Sequence, residues 1–147
     1  MQVAMEKVFE FDSSPDHHPA EAVIITCFDN RIYKVRKAFV KQLGFKHPDV
    51  VEVAGGIKAI TQGSDAERKF IFEQIRISIA LHHARKIVLM PHRDCGAYGG
   101  SKNFITQEAE YAFQSEEMEK AAGLLKKEFP GMPVESYLLD FDGAHRA

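Results

Sequence analysis

Two cysteines, one histidine and an acid–arginine pair carry the chemistry open to this sequence. Cys27 is followed by Asp29 and Arg31, two and four residues on, and His92 stands three residues before Cys95. Two thiolates and an imidazole make a soft tripod suited to zinc, leaving the fourth tetrahedral place for water, substrate or one more protein group. Zinc lowers the pKa of a bound water to about 7. Asp29 can take that fourth place or accept a hydrogen bond from the water, and Arg31 can hold the carboxylate by a bidentate pair. Plainer readings stand beside these: Asp29 or Asn30 as a helix cap, Cys27 as a small buried hydrophobe, His92 as a turn residue after Pro91.

The tripod requires elements that bring residues 27 and 92–95 together. Ala22 to Thr26 is an apolar, β-branched run ending at Cys27, as expected of a buried parallel strand. From Arg31 the pattern turns helical, with Ile32, Val35, Phe39, Val40 and Leu43 on one face and Gly44 as the stop. Val50 to Ala54 reads as a second strand. Ser64-Asp65-Ala66-Glu67 has the form of a capping box opening a helix to near His83. Lys86 to Met90 is a third strand, stopped by Pro91. Thr106 to Lys127 reads as a long helix with Ala109, Ala112, Phe113, Ala121, Leu124 and Leu125 inward, and Val134 to Phe141 as a fourth strand.

Strands alternating with helices imply an α/β fold: a mostly parallel four-stranded sheet of order 2-1-3-4 flanked by helices. In that order strands one and three are neighbours, and the tripod gathers at the carboxyl ends of the strands, where ligands bind in open sheets. The 147 residues suit one domain, 1–147, with residues 1–20 as an N-terminal arm.

Composition narrows the partners. Hydrophobic residues make 45% and charged ones 27%, which excludes disordered and collagen-like chains. Nineteen basic and 21 acidic residues give a net charge of −2 with no basic stripe, so no nucleic-acid partner is expected. No apolar run is long enough for a membrane span or a signal peptide, and two cysteines are too few for a disulfide scaffold; a cytoplasmic protein is expected.

Cys27-Phe28-Asp29-Asn30-Arg31, followed by Ala54-Gly55 and then His92-Arg93-Asp94-Cys95-Gly96, resembles the β-class carbonic anhydrases. That family carries Cys-x-Asp-x-Arg after its first strand and His-x-x-Cys-Gly after its third. The resemblance covers about residues 22 to 100 and implies the β-carbonic-anhydrase-like fold. It also implies a zinc lyase that interconverts carbon dioxide and bicarbonate through zinc-bound hydroxide, working as a homodimer or homotetramer. Residue by residue, Cys27, His92 and Cys95 would be the metal ligands and Asp29 with Arg31 the catalytic pair, Asp29 being also a possible fourth ligand. The chain departs from the family pattern at Asn30 (usually serine), at Pro91 (usually glycine) and at Glu52-Val53, where the family has Arg-Asn.

Three alternatives share the same residues. One is hydrolysis of carbonyl sulfide or carbon disulfide. Another, motivated by Glu52-Val53 and the short arm, is a zinc-stabilised fold with lost activity and a binding role. The third, a thiol enzyme using Cys27 and His92, meets Tyr33 where a phosphatase loop needs arginine and leaves Cys95 without a task. Away from the tripod, His82 and His83 read as partners of a helix C-terminus or of solvent, His17 and His18 as a flexible pair, and His145 as tail. Phe28, Ile57 and Tyr98 read as packing.

Overall fold

The computed structural model describes residues 4–146, so residues 1–3 of the expected arm and Ala147 lie outside the described residues. Residues 4–19 are exposed and form neither helix nor strand. The sheet then opens with β1 (Val23–Cys27), every residue of which is buried. After a single 3-10 turn come α1 (Tyr33–Gln42), β2 (Asp49–Val53), α2 (Lys58–Thr61), α3 (Asp65–His82), β3 (Ile87–Met90), α4 (Gln107–Glu128), β4 (Val134–Asp140) and β5 (Gly143–Arg146).

The strand order is β2-β1-β3-β4-β5, parallel through β4. The expected 2-1-3-4 order is therefore present, with one addition: β5 pairs antiparallel with β4 through a tight turn at Phe141-Asp142. His145, expected as tail, lies in this fifth strand. Gly143-Ala144-His145-Arg146 lacks the apolar alternation that marks a strand; main-chain pairing to Leu138 and Leu139 makes it one.

Strand alternation splits the core. Val23, Ile25, Ile87, Leu89 and Leu138 face α2, α3 and α4. Ile24, Val88, Met90, Tyr137 and Leu139 face α1 through Val35, Phe39, Val40 and Leu43. The crossover leaving β1 thus runs over one face and the crossover leaving β3 over the other, which makes the carboxyl ends of these paired strands the topological switch point.

Several local expectations are met and others corrected. The capping box is complete, with Ser64 Oγ accepting from Glu67 N and the glutamate reaching back to Ser64 N. His82 turns to the β2 carboxylate, its Nδ1 2.8 Å from Asp49 Oδ2, and His83 ends α3 in the left-handed region. His18 stacks on His47 with ring centroids 3.9 Å apart. In α4 the expected inward face is met at Phe113, Ala121, Leu124 and Leu125, which pack into the core, and corrected at its start: Ala109 and Ala112 are exposed, and Glu110, Gln114 and Glu117 are buried beside Met118. An apolar-pattern reading misses the first half of this stripe, where Glu110 accepts from Asp94 N and Ser101 Oγ and Glu117 from the Thr61 and Tyr98 hydroxyls.

Candidate metal centre

Cys27 ends β1, and His92 and Cys95 lie on the loop after β3. One ligating atom from each falls within 4.8 Å of the others, and all three residues are buried. The sulfurs are 4.0 Å apart, the Cys95 thiol donating to Cys27. That hydrogen bond pulls the Cys27 thiol down and pushes that of Cys95 up. Binding a metal to both sulfurs as thiolates would release protons.

His92 is 1% exposed. Its Nδ1 lies 2.7 Å from the carbonyl oxygen of Arg93, which can only accept, so Nδ1 is the donor. In the neutral ring Nε2 then carries the lone pair, and it is buried without a hydrogen-bond partner. An orphaned buried nitrogen facing two sulfurs is an unsatisfied polar site in a protein and a satisfied one around a metal ion. The donor set fits zinc, and the Nδ1–H···O=C bond is the outer contact that orients a ligating imidazole.

Asp29 and Arg31 stand at the rim. Asp29 Oδ2 is 3.9 Å from His92 Nε2. Its carboxylate accepts from Arg31 Nε at 3.1 Å and Nη2 at 2.8 Å, and its Oδ1 also caps the 3-10 turn by accepting from Arg31 N at 2.9 Å. Both sequence readings of Asp29, cap and partner of arginine, are therefore realised together. The Arg31 hydrogen bonds hold its carboxyl down to about 2, and Asp29 followed by Asp94 raises the Arg31 guanidinium. Phe28, expected to pack, is 63% exposed. Ile57 is buried, and buried Tyr98 donates its hydroxyl to Glu117 at 2.8 Å.

Gly55 and Gly56 bring the backbone close behind Cys27. Gly56 has φ +54, and a Cβ there would lie 2.9 Å from the Thr26 carbonyl carbon and 3.0 Å from Cys27 N. Gly56→Ala is expected to destabilise the protein by about 2–4 kcal/mol in denaturant titrations, since left-handed strain adds to overpacking against backbone. A loss below about 0.5 kcal/mol would show that the strand end tolerates the shift. Glu52, where the family has arginine, has its own counterpart: Arg36 Nη2, on a nearly buried side chain, donates to it at 2.8 Å. The departure at this position is an ion pair between α1 and β2.

Sequence reasoning missed the groups behind the loop. Asp94 contacts Arg31, Glu110 contacts Asp94, and the Arg31 guanidinium lies over the Phe141 ring at 5.1 Å. Asp94 stands inside the His-x-x-Cys motif and could have been noted there. Glu110 and Phe141 carry no local signal.

A parallel α/β sheet with a buried Cys2His cluster at its switch point, flanked by an Asp–Arg pair, defines a class of candidate metalloproteins. Residues 18–144 match the family model described as "Putative carbonic anhydrase", and the chain belongs to that family. An uncharacterized protein of Rickettsia conorii is 31% identical over 150 residues, 96% of this chain and 81% of its own length. Among solved structures, β-carbonic anhydrase isoform I of Trichomonas vaginalis superposes with a TM-score of 0.62 at 19% identity, over 93% of this chain and 87% of that one. A second similar structure comes from work on two tetrameric β-carbonic anhydrases of Sordaria macrospora, with a TM-score of 0.56 at 17% identity over 86% and 78%. The fold is that of the β-carbonic anhydrases, and the chain is a divergent member of the group.

Proposed function

We propose that this protein binds zinc through Cys27, His92 and Cys95 and catalyses the reversible hydration of carbon dioxide to bicarbonate, with Asp29 and Arg31 as the catalytic pair. The observation that carries this reading is the orphaned Nε2 of buried His92, aimed at two sulfurs 4.0 Å apart and 3.9 Å from the Asp29 carboxylate. Zinc supplies Lewis acidity, bringing the pKa of a coordinated water to about 7.

The chain's own groups do the rest. His92 is held in the tautomer that presents Nε2, because Nδ1 is committed to the Arg93 carbonyl. Cys27 and Cys95 enter as thiolates. Asp29 stays ionised at every working pH, since Arg31 holds its carboxyl at about 2. A carboxylate that acidic orients the attacking water by accepting its hydrogen bond and stores no proton, so the proton released on hydration passes to buffer. Arg31 covers two edges of the carboxylate and fixes which lone pair remains for that contact.

Stopped-flow hydration of carbon dioxide by the zinc-loaded protein tests the reading. A rate well above buffer from neutral to alkaline pH is expected; a zinc-loaded protein no faster than buffer overturns it.

The same reading includes residues 1–147 acting as one domain and assembling as a homodimer or homotetramer. β2 is an edge strand, with Val50, Phe70, Ile77 and Leu81 exposed beside it. Exposed apolar side chains along an open edge favour a partner copy; sedimentation as a monomer overturns this part. Among the described residues no helix is long and apolar enough to cross a membrane. The two free cysteines suit a reducing, cytoplasmic setting.

A further inference from the structure

Arg31 has a second carboxylate beside it. One Nη donates to Asp94 Oδ2 at 3.0 Å and the other to the Asp94 carbonyl at 3.0 Å, while Nε and Nη2 hold Asp29. The Arg31 side chain is 52% exposed. A half-exposed arginine paired only with a carboxylate two residues away is weakly held, because solvent competes for its donors and side-chain entropy opposes one geometry. Contacts on its far side remove that freedom.

Asp94 reaches this place because its backbone is left-handed, at φ +58, a conformation that costs a non-glycine residue energy. Two neighbours hold it there. Its N–H donates to Glu110 Oε2 at 2.9 Å, and Glu110, 1% exposed on α4, also accepts from Ser101 Oγ at 2.8 Å. Its Oδ1 accepts from Ser101 N at 2.7 Å, and glycine at position 100 leaves the room: a Cβ there would lie 3.0 Å from that oxygen.

We propose that Asp94, locked in its left-handed turn by buried Glu110, is the positioning residue that keeps Arg31 aligned on Asp29. It touches no reacting atom and acts through the guanidinium. Its consequence for turnover rests on the carbon dioxide reading above; the restraint on Arg31 does not.

Nitrogen-15 NMR of the arginine side chains of the purified full chain tests the restraint, with the Arg31 resonances assigned by their loss in Arg31→Ala. In the wild type the two Nη groups have different partners and are expected to give separate signals. Asp94→Gly suits the left-handed backbone and removes only the side chain; it is expected to speed rotation of the guanidinium at least about tenfold and merge the signals. Asp94→Asn, whose amide oxygen still accepts, is expected to restore slower rotation. Merged signals in the wild type, or unchanged rotation in Asp94→Gly, overturn the proposal.

Turnover supplies an independent arm. Asp94→Gly is expected to lower kcat about tenfold with KM within about twofold and zinc content unchanged, and to add nothing in an Arg31→Ala background. A further fall in the double variant would mean that Asp94 acts by another route and overturns the proposal. A zinc-loaded wild type without hydration activity defeats the functional reading instead, and the NMR arm still decides the restraint.

Discussion

Zinc is expected to raise the unfolding midpoint of this protein by about 10 °C, and His92→Ala is expected to abolish that rise. Saturation at a thousand times the dissociation constant stabilises the folded state by about 4 kcal/mol, and each kcal/mol moves Tm by about 2–4 °C in a chain near this size. The effect is large because the site without metal is poorly satisfied. His92 Nε2 is buried with no partner, and two buried sulfurs lie 4.0 Å apart with only each other as a thiol hydrogen-bond pair. Removing the imidazole leaves two sulfur donors, so zinc per chain should fall from one to near zero after dialysis against a weak chelator. Because the substitution itself alters the baseline, the quantity to compare is the zinc-induced shift in each protein. Equal shifts in wild type and His92→Ala would place the ion elsewhere, for instance at the Asp140, Asp142 and His145 cluster.

Asp29→Asn is expected to lower kcat about a hundredfold or more while leaving zinc content and stability near wild type. The amide keeps an oxygen to accept from Arg31 N at the start of the 3-10 turn, so the cap survives, but the charge that pairs with the guanidinium is gone. Asp29→Ala is expected to lose the same activity and, in addition, about 1 kcal/mol of stability through the missing cap. The two variants thus separate the structural and chemical roles of one carboxylate. Asp29 has a lowered pKa, so its charge is lost only as pH falls toward about 2. The wild-type rate between pH 6 and 9 should therefore carry no limb from this group. Full activity in Asp29→Asn would reduce it to a cap.

How far the sequence discloses this arrangement depends on the range of each interaction. β1, β3 and the capping box of α3 are written in contiguous residues, and the parallel order follows from helices between strands. Cys27, Asp29, Arg31, His92 and Cys95 are legible because two short spacings fall at the ends of strands that this order makes neighbours. What escapes is held across the fold. β5 is a strand only because Leu138 and Leu139 offer it main-chain partners. Glu110 and Glu117 look like solvent-facing acids until the Ser101 hydroxyl, the Asp94 amide and the Tyr98 hydroxyl, 9 to 19 residues away, are seen to meet them. Glu52 reads as a departure from pattern until Arg36, 16 residues earlier, is found beside it. Nor does sequence show that Asp94 is left-handed, since that conformation is imposed by its neighbours.

X-ray absorption at the zinc edge of the loaded protein addresses the metal assignment directly. A shell with two sulfurs at about 2.3 Å and one imidazole nitrogen, changed to a single sulfur by either Cys27→Ser or Cys95→Ser, is expected. A shell of oxygen and nitrogen alone, or one untouched by both substitutions, would contradict it.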